Sequence, residues 1–211
     1  MNQTPINPDL DLPALAERFA AHGRIQIDSF LREPAARDAL AALENEVEWA
    51  FALRVGDEDR LYSNAEWEAI PLTDRQALLR AVNRQASGAF QYMFDYYPLL
   101  SSYHARTGPP RRIDAMAQLV ESPAFLDFVR RVTGSTEIAQ ADGQATRYRA
   151  GQYLTYHDDH ARRERRFAYV LNLTEAWHAD WGGLLLFHDG RGNVEQGWLP
   201  RFNCLNLFAV P

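Results

Sequence analysis

Arg147-Tyr148-Arg149-Ala150-Gly151-Gln152-Tyr153-Leu154-Thr155-Tyr156-His157-Asp158-Asp159-His160 opens the stretch from Arg147 to Phe208 that the rest of this chain serves. In an extended strand, side chains two positions apart project to the same side. His157 and Asp159 therefore share a face, an imidazole beside a carboxylate. That pair is two thirds of a 2-His-1-carboxylate triad, which leaves adjacent coordination positions open and suits non-haem Fe(II) that takes a co-substrate and O2. The third ligand is expected downstream.

Three more blocks follow in order: Arg166-Phe167-Ala168-Tyr169-Val170-Leu171-Asn172-Leu173, then Trp181-Gly182-Gly183-Leu184-Leu185-Leu186-Phe187, then Pro200-Arg201-Phe202-Asn203-Cys204-Leu205-Asn206-Leu207-Phe208. With the first, they resemble the prolyl 4-hydroxylase-like branch of the 2-oxoglutarate/Fe(II)-dependent dioxygenases, and four ordered blocks are more specific than a lone His-x-Asp. The resemblance implies a mainly β fold with flanking helices, built on a double-stranded β-helix, a jelly-roll or cupin-like core. It implies that His157 and Asp159 hold iron and that Tyr148 hydrogen-bonds 2-oxoglutarate. Asn172 stands where relatives carry a second co-substrate tyrosine, and its amide still donates, at shorter reach. Leu154 is expected to wall the cavity.

In relatives the distal histidine, and the basic residue that clamps the far carboxylate of 2-oxoglutarate, fall just after the strand corresponding to Phe208. Both are expected beyond Pro211, and the 211-residue chain alone is expected to be inactive. His160 points to the opposite face of a continuing strand, and His178 and His188 flank the Gly182-Gly183 turn, so all three read as exposed or capping residues.

The activity implied is hydroxylation of a prolyl residue of a protein, such as a translation factor or ribosomal protein, with release of succinate and CO2. Fe(II) and 2-oxoglutarate are the implied cofactor and co-substrate, with ascorbate as an accessory. Free proline or a small peptide is the alternative substrate, and a non-catalytic jelly-roll binding module is the alternative if Pro211 is the true terminus. Retention of Asp159 argues against the halogenase variant of the fold, which replaces the carboxylate by a small residue.

Composition bounds the rest. With 211 residues and 46% hydrophobic content the chain suffices for one well-buried core, and a single domain over 1–211 is expected, with helices and strands to about 134 and the β-helix core from about 137. No apolar run has membrane-spanning length and no signal peptide opens the chain, so a cytoplasmic protein is expected. The one cysteine, Cys204, excludes an internal disulfide and reads as a small apolar filler. A net charge of −6 argues against nucleic acid as a partner. The basic run Arg162-Arg163-Glu164-Arg165-Arg166 reads either as a solvated loop or as an electropositive rim for an anion.

Upstream, Leu12 to Ala21 reads as an amphipathic helix closed by Gly23, and Arg24 to Leu31 alternates with the period of a strand. From Pro34, Leu40, Leu43, Val47 and Phe51 form a helical stripe. Phe51 to Ser63 reads as a hairpin turning at Gly56 to Asp59, either one that approaches the mouth of the site or an ordinary surface hairpin. Thr73 caps a helix expected to run to about Tyr97, so that the aromatics from Phe90 onward pack in the core or line a ligand pocket. Ser101 to Arg112 reads as a loop. Asp114 to Glu121 is helical, and Ser122-Pro123 opens a helix stopped by Gly134; the resemblance extends upstream to this block. Strands are expected over about 137–149, 152–157, 166–173, 183–188, 194–198 and 202–208.

Overall fold

The computed structural model describes residues 4–157 and 165–210. The chain divides into two compact units, each assembled from distant stretches of sequence. Met1–Glu46, Gly108–Asp142 and Asp159–Pro211 form the first, and Val47–Thr107 with Gly143–Asp158 the second.

In the first unit, α1 (Leu12–His22) starts where the Asp11 side chain accepts the Ala14 N–H and stops at Gly23, whose φ of +65° is the left-handed conformation glycine tolerates. β1 (Arg24–Ile27) follows, then α2 (Glu33–Asn45). The stripe expected on this second helix is displaced. Ala36, Ala39 and Ala42 are its buried residues, the helix ends at Asn45, and Phe51 belongs to a strand. Small side chains give a helix a closer seat than leucines allow, so the apolar row counted by size alone missed the true face.

The second unit opens with the expected hairpin, β2 (Ala50–Val55) and β3 (Glu58–Tyr62), paired antiparallel so that Val55 faces Glu58 across a turn through Gly56. Ser63 then closes a capping box with Glu66 on α3 (Asn64–Ala69), and α4 (Leu72–Gln85) follows. The long helix expected to Tyr97 ends twelve residues early. Tyr92–Tyr97 is a strand, β4, at the centre of this unit's sheet. Aromatic side chains favour the pleated surface, and here both faces of the strand are occupied, so the apolar run mimicked a helix. α5 (Leu99–Ala105) replaces the loop expected from Ser101.

The chain returns to the first unit through α6 (Asp114–Glu121) and α7 (Pro123–Thr133), the latter capped by Ser122 and stopped by Gly134 at φ +70° as its sequence demands. Two short strands, β5 (Ala145–Arg147) and β6 (Tyr153–Leu154), then join β4 of the second unit. β7 (Phe167–Asn172), β8 (Leu185–His188), β9 (Val194–Trp198) and β10 (Cys204–Ala209) complete the first. β5 to β8 fall within the expected stretches and are shorter than them, β9 coincides with its stretch, and β10 starts later than expected and runs one residue past it, to Ala209.

The first unit's main sheet has the order β1-β10-β7, antiparallel throughout. Ile25, Ile27, Leu205 and Leu207 point from one face into a core shared with Leu15 and Phe19 of α1 and Phe125, Phe128 and Val132 of α7. Edge-to-face rings tie it together, with Phe30 5.1 Å from Phe128 and Phe125 5.1 Å from Tyr169. From the other face, Arg24 and Phe208 meet Phe187 of β8, at 4.6 Å and 5.4 Å. The fold is therefore mixed, seven α-helices accompanying ten short antiparallel strands among the described residues, where a mainly β chain was expected. No helix among them is long and apolar enough to cross a membrane.

Candidate active site

The second unit's sheet has two unlike faces. Register decides which residues share each: Asp95 lies opposite Phe51 and Arg147, and Met93 opposite Leu53 and Tyr153. Phe51, Leu53 and Met93 bury themselves there against Val82 of α4. The intervening residues, Tyr92 and Phe94, project to the opposite face, where Leu154 stands across from Tyr92.

On that face a continuous row of rings links the two candidate residues that the sequence places nine positions apart. Tyr148 packs on Phe94 at 5.5 Å, Phe94 stacks on Tyr92 at 5.0 Å, Tyr92 meets Phe90 at 5.8 Å, and Phe90 meets the His157 imidazole at 5.4 Å. Three of the expected site residues, Tyr148, Leu154 and His157, are thus gathered along β4. Of the aromatics on this face, Phe94 is buried, Tyr92 half-buried and Phe90 exposed.

His157 lies three residues past the end of β6, not within a strand. A different constraint orients it. Gln91 and Thr155 are locked together: the Gln91 N–H donates to Thr155 Oγ1 at 3.0 Å, and the Thr155 N–H and hydroxyl both donate to the Gln91 carbonyl, each at 3.0 Å. The Thr155 carbonyl in turn lies 3.0 Å from His157 Nδ1. A carbonyl only accepts, so Nδ1 donates and Nε2 is the ring nitrogen that a metal would take, the arrangement ligating histidines ordinarily use.

Tyr148 keeps 38% of its surface exposed, yet desolvation of its phenol pushes its pKa up to about 12. It is a neutral hydrogen-bond donor at any physiological pH. Tyr92 is likewise pushed up to about 12, first by burial and then by Asp59 on the β2–β3 hairpin. Arg54, on the same hairpin, holds Asp59 at 2.6 Å and lies 5.6 Å from the Phe90 ring. The hairpin therefore reaches the aromatic face.

Asn172 belongs to the other unit, at the end of β7 opposite Cys204. His178 packs on Trp181 at 5.1 Å, and His188 Nδ1 lies 3.3 Å from the Gly192 carbonyl. Cys204 is fully buried, and desolvation with the neighbouring Asp28 raises its thiol to about 12, which suits an inert filler. Arg166 of the basic run pairs with Glu137 at 2.5 Å. Asp159 and His160, with Arg162 to Glu164, lie outside the described residues. Among the described residues no three His, Cys, Asp or Glu side chains are gathered to hold a metal.

Sequence reasoning did not single out Gln91, Thr155 or Asp95. The last is a carboxylate only 1% exposed in an otherwise aromatic and apolar strand, and a charge inside such a run was the available signal, since charge is buried only when paired.

Residues 143–211 match the family model described as the 2OG-Fe(II) oxygenase superfamily, a segment that contains Tyr148, Leu154, His157, Asp159 and Asn172. Among solved structures, a prolyl-4-hydroxylase from Pseudomonas putida is similar with a TM-score of 0.55 and 19% identity, covering 94% of this chain and 86% of that one. At that identity the likeness is one of fold. No curated protein sequence matches the chain.

Proposed function

We propose that this protein is an Fe(II)/2-oxoglutarate-dependent hydroxylase with a double-stranded β-helix core, and that it hydroxylates a prolyl residue of a protein. The observation that carries the reading is the aromatic face of β4. It brings Tyr148, Leu154 and a His157 whose Nδ1 is held by the Thr155 carbonyl onto one surface, within a segment that matches the oxygenase family model. The prolyl substrate is supported by the fold likeness to a protein described as a prolyl-4-hydroxylase. A cytoplasmic setting and a translation factor or ribosomal protein as substrate are proposed on the resemblance of the motif blocks.

The donor chemistry fits the metal as far as the described residues go. The neutral imidazole of His157 is a suitable Fe(II) ligand, and Asp159, two residues on, would add the carboxylate. Bound iron with 2-oxoglutarate supplies the oxidising power for hydroxylation. The chain's own residues perform the remaining tasks. The Thr155 carbonyl fixes the His157 tautomer. Tyr148, protonated at working pH, donates to a 2-oxoglutarate oxygen. The rings of Phe90, Tyr92 and Phe94, with Leu154, present an apolar floor that excludes water and strengthens those polar contacts.

The test is incubation of the full-length protein with Fe(II), 2-oxoglutarate and candidate proteins, peptides or free proline, followed by mass spectrometry. Succinate formation coupled to the gain of one oxygen on a prolyl residue of a protein is the expected result. Oxygen gained only by free proline would replace the substrate assignment, and no consumption of 2-oxoglutarate would remove the hydroxylase reading.

A further inference from the structure

Tyr148 sits just past the end of β5, where ladder hydrogen bonds no longer hold the backbone. What holds it instead is Asp95 on β4. Its Oδ2 accepts from Arg147 Nε at 2.9 Å and Nη2 at 2.7 Å, and its Oδ1 accepts from Arg149 Nη2 at 2.8 Å and Gln152 Nε2 at 2.8 Å. Four donors thus converge on one buried carboxylate, all of them from the six residues Arg147 to Gln152. The same segment is braced internally. Gln152 Oε1 accepts the Arg149 N–H at 2.6 Å, and the Gln152 N–H donates to the Arg149 carbonyl at 2.9 Å, closing a turn with Gly151 at φ +84°. Arg147 also lies 4.7 Å from the Trp49 ring.

The placement of charge follows the same logic. Burial alone pushes the Asp95 carboxyl up, but Gln152, Arg147 and Arg149 together outweigh it and hold it below the ordinary carboxylate value. Asp95 is therefore ionised whenever the loop is seated, and an ionised buried carboxylate requires the loop's donors. Tyr148 lies between two residues pinned to Asp95, and alternation turns its ring to the opposite face, onto Phe94.

We infer that Asp95 is a positioning residue for the co-substrate: by anchoring the Arg147 to Gln152 loop from beneath the sheet, it sets where the Tyr148 hydroxyl meets 2-oxoglutarate. This rests on the hydroxylase reading proposed above. Asp95 acts through Tyr148 and touches no reactant itself.

The experiment is a double-mutant cycle on the full-length protein loaded with Mn(II) in place of Fe(II), with 2-oxoglutarate affinity measured by calorimetry and amide hydrogen exchange followed over residues 145–154 without ligand. Asp95→Asn keeps the side-chain shape, removes the charge and turns one acceptor into a donor facing guanidinium. It is expected to weaken 2-oxoglutarate binding by about as much as Tyr148→Phe, up to about tenfold for one neutral hydrogen bond, with Mn(II) affinity unchanged and exchange in the loop accelerated. The two changes together are expected to weaken it no further than Tyr148→Phe alone, because both remove the same contact. Arg149→Ala, at a mostly exposed arm of the clamp, gives the same effect in smaller measure and serves if Asp95→Asn does not fold. Wild-type affinity in Asp95→Asn, or a loss that adds fully to that of Tyr148→Phe, overturns the inference while leaving the hydroxylase reading standing. A wild-type protein that holds Mn(II) but binds no 2-oxoglutarate overturns both.

Discussion

The two sheets of this molecule solve different problems. In the β1-β10-β7 sheet one face is given over to aliphatic and aromatic burial, with Ile25, Ile27, Leu205 and Leu207 2% exposed or less under α1 and α7. Beside it, Asn203 brackets Leu31 with hydrogen bonds of 2.8 Å and 2.7 Å. In the β4 sheet the core face also buries a carboxylate that gathers four donors from a single loop, and the other face sets a row of rings, from the buried Phe94 to the exposed Phe90, beside a histidine. The first arrangement maximises buried apolar area. The second holds a few polar groups at fixed positions around an apolar surface, which is what a site requires.

If that division is right, substitutions in the two sheets separate stability from chemistry. The largest expected effect on stability is in the first. Leu205→Ala empties a site with no exposure and should cost about 2 to 5 kcal/mol, read as a lowered denaturation midpoint, while the protein that remains folded keeps its affinity for 2-oxoglutarate. An equal loss of affinity per folded molecule would break the division.

His157→Ala should do the reverse. Losing a direct metal ligand should weaken Fe(II) binding by at least the roughly 10 to 100-fold typical of losing a group behind the ligand, and the exposed position of His157 should leave the thermal midpoint within about 2 °C. Metal titration with parallel calorimetric scans checks both halves.

Gly151→Ala lies between these extremes. Open space surrounds the added methyl, so only the φ of +84° opposes it, at about 1 to 2 kcal/mol. Because the strain falls on the Tyr148 loop, it should appear as weakened 2-oxoglutarate binding and faster amide exchange over 147–152, with little change in the first unit's exchange.

The smallest effect is Tyr148→Phe. Loss of one neutral hydrogen bond should reduce 2-oxoglutarate affinity by about 0.5 to 1.5 kcal/mol and leave Fe(II) affinity in the absence of 2-oxoglutarate unchanged. An unchanged co-substrate affinity would remove Tyr148 from the site.

The same contrast explains what was legible in the sequence. α1 and α7 were readable because their stops are local: Gly23 and Gly134 take the left-handed φ that ends a helix. The strands from β7 to β10 were readable through alternation against turn glycines. β4 was not, because residues buried on both faces erase the alternation that marks a strand, and Asp95 looked like a stray charge in an aromatic run. Its partners are 52 to 57 residues away, and no local pattern reports such a pairing. Of the site, His157, Tyr148 and Leu154 were found from their own stretch, whereas the residues that orient them, Thr155, Gln91 and Asp95, emerge only once β4 is seen to run beside that stretch.

The central claim is that the surface built on β4 and anchored by His157 turns over 2-oxoglutarate. Its most direct test is succinate formation by the full-length protein under saturating Fe(II), with wild type and His157→Ala compared at equal concentrations of folded protein. The account predicts iron-dependent succinate from the wild type and none above background from the variant. Succinate formed at the same rate by both would contradict it.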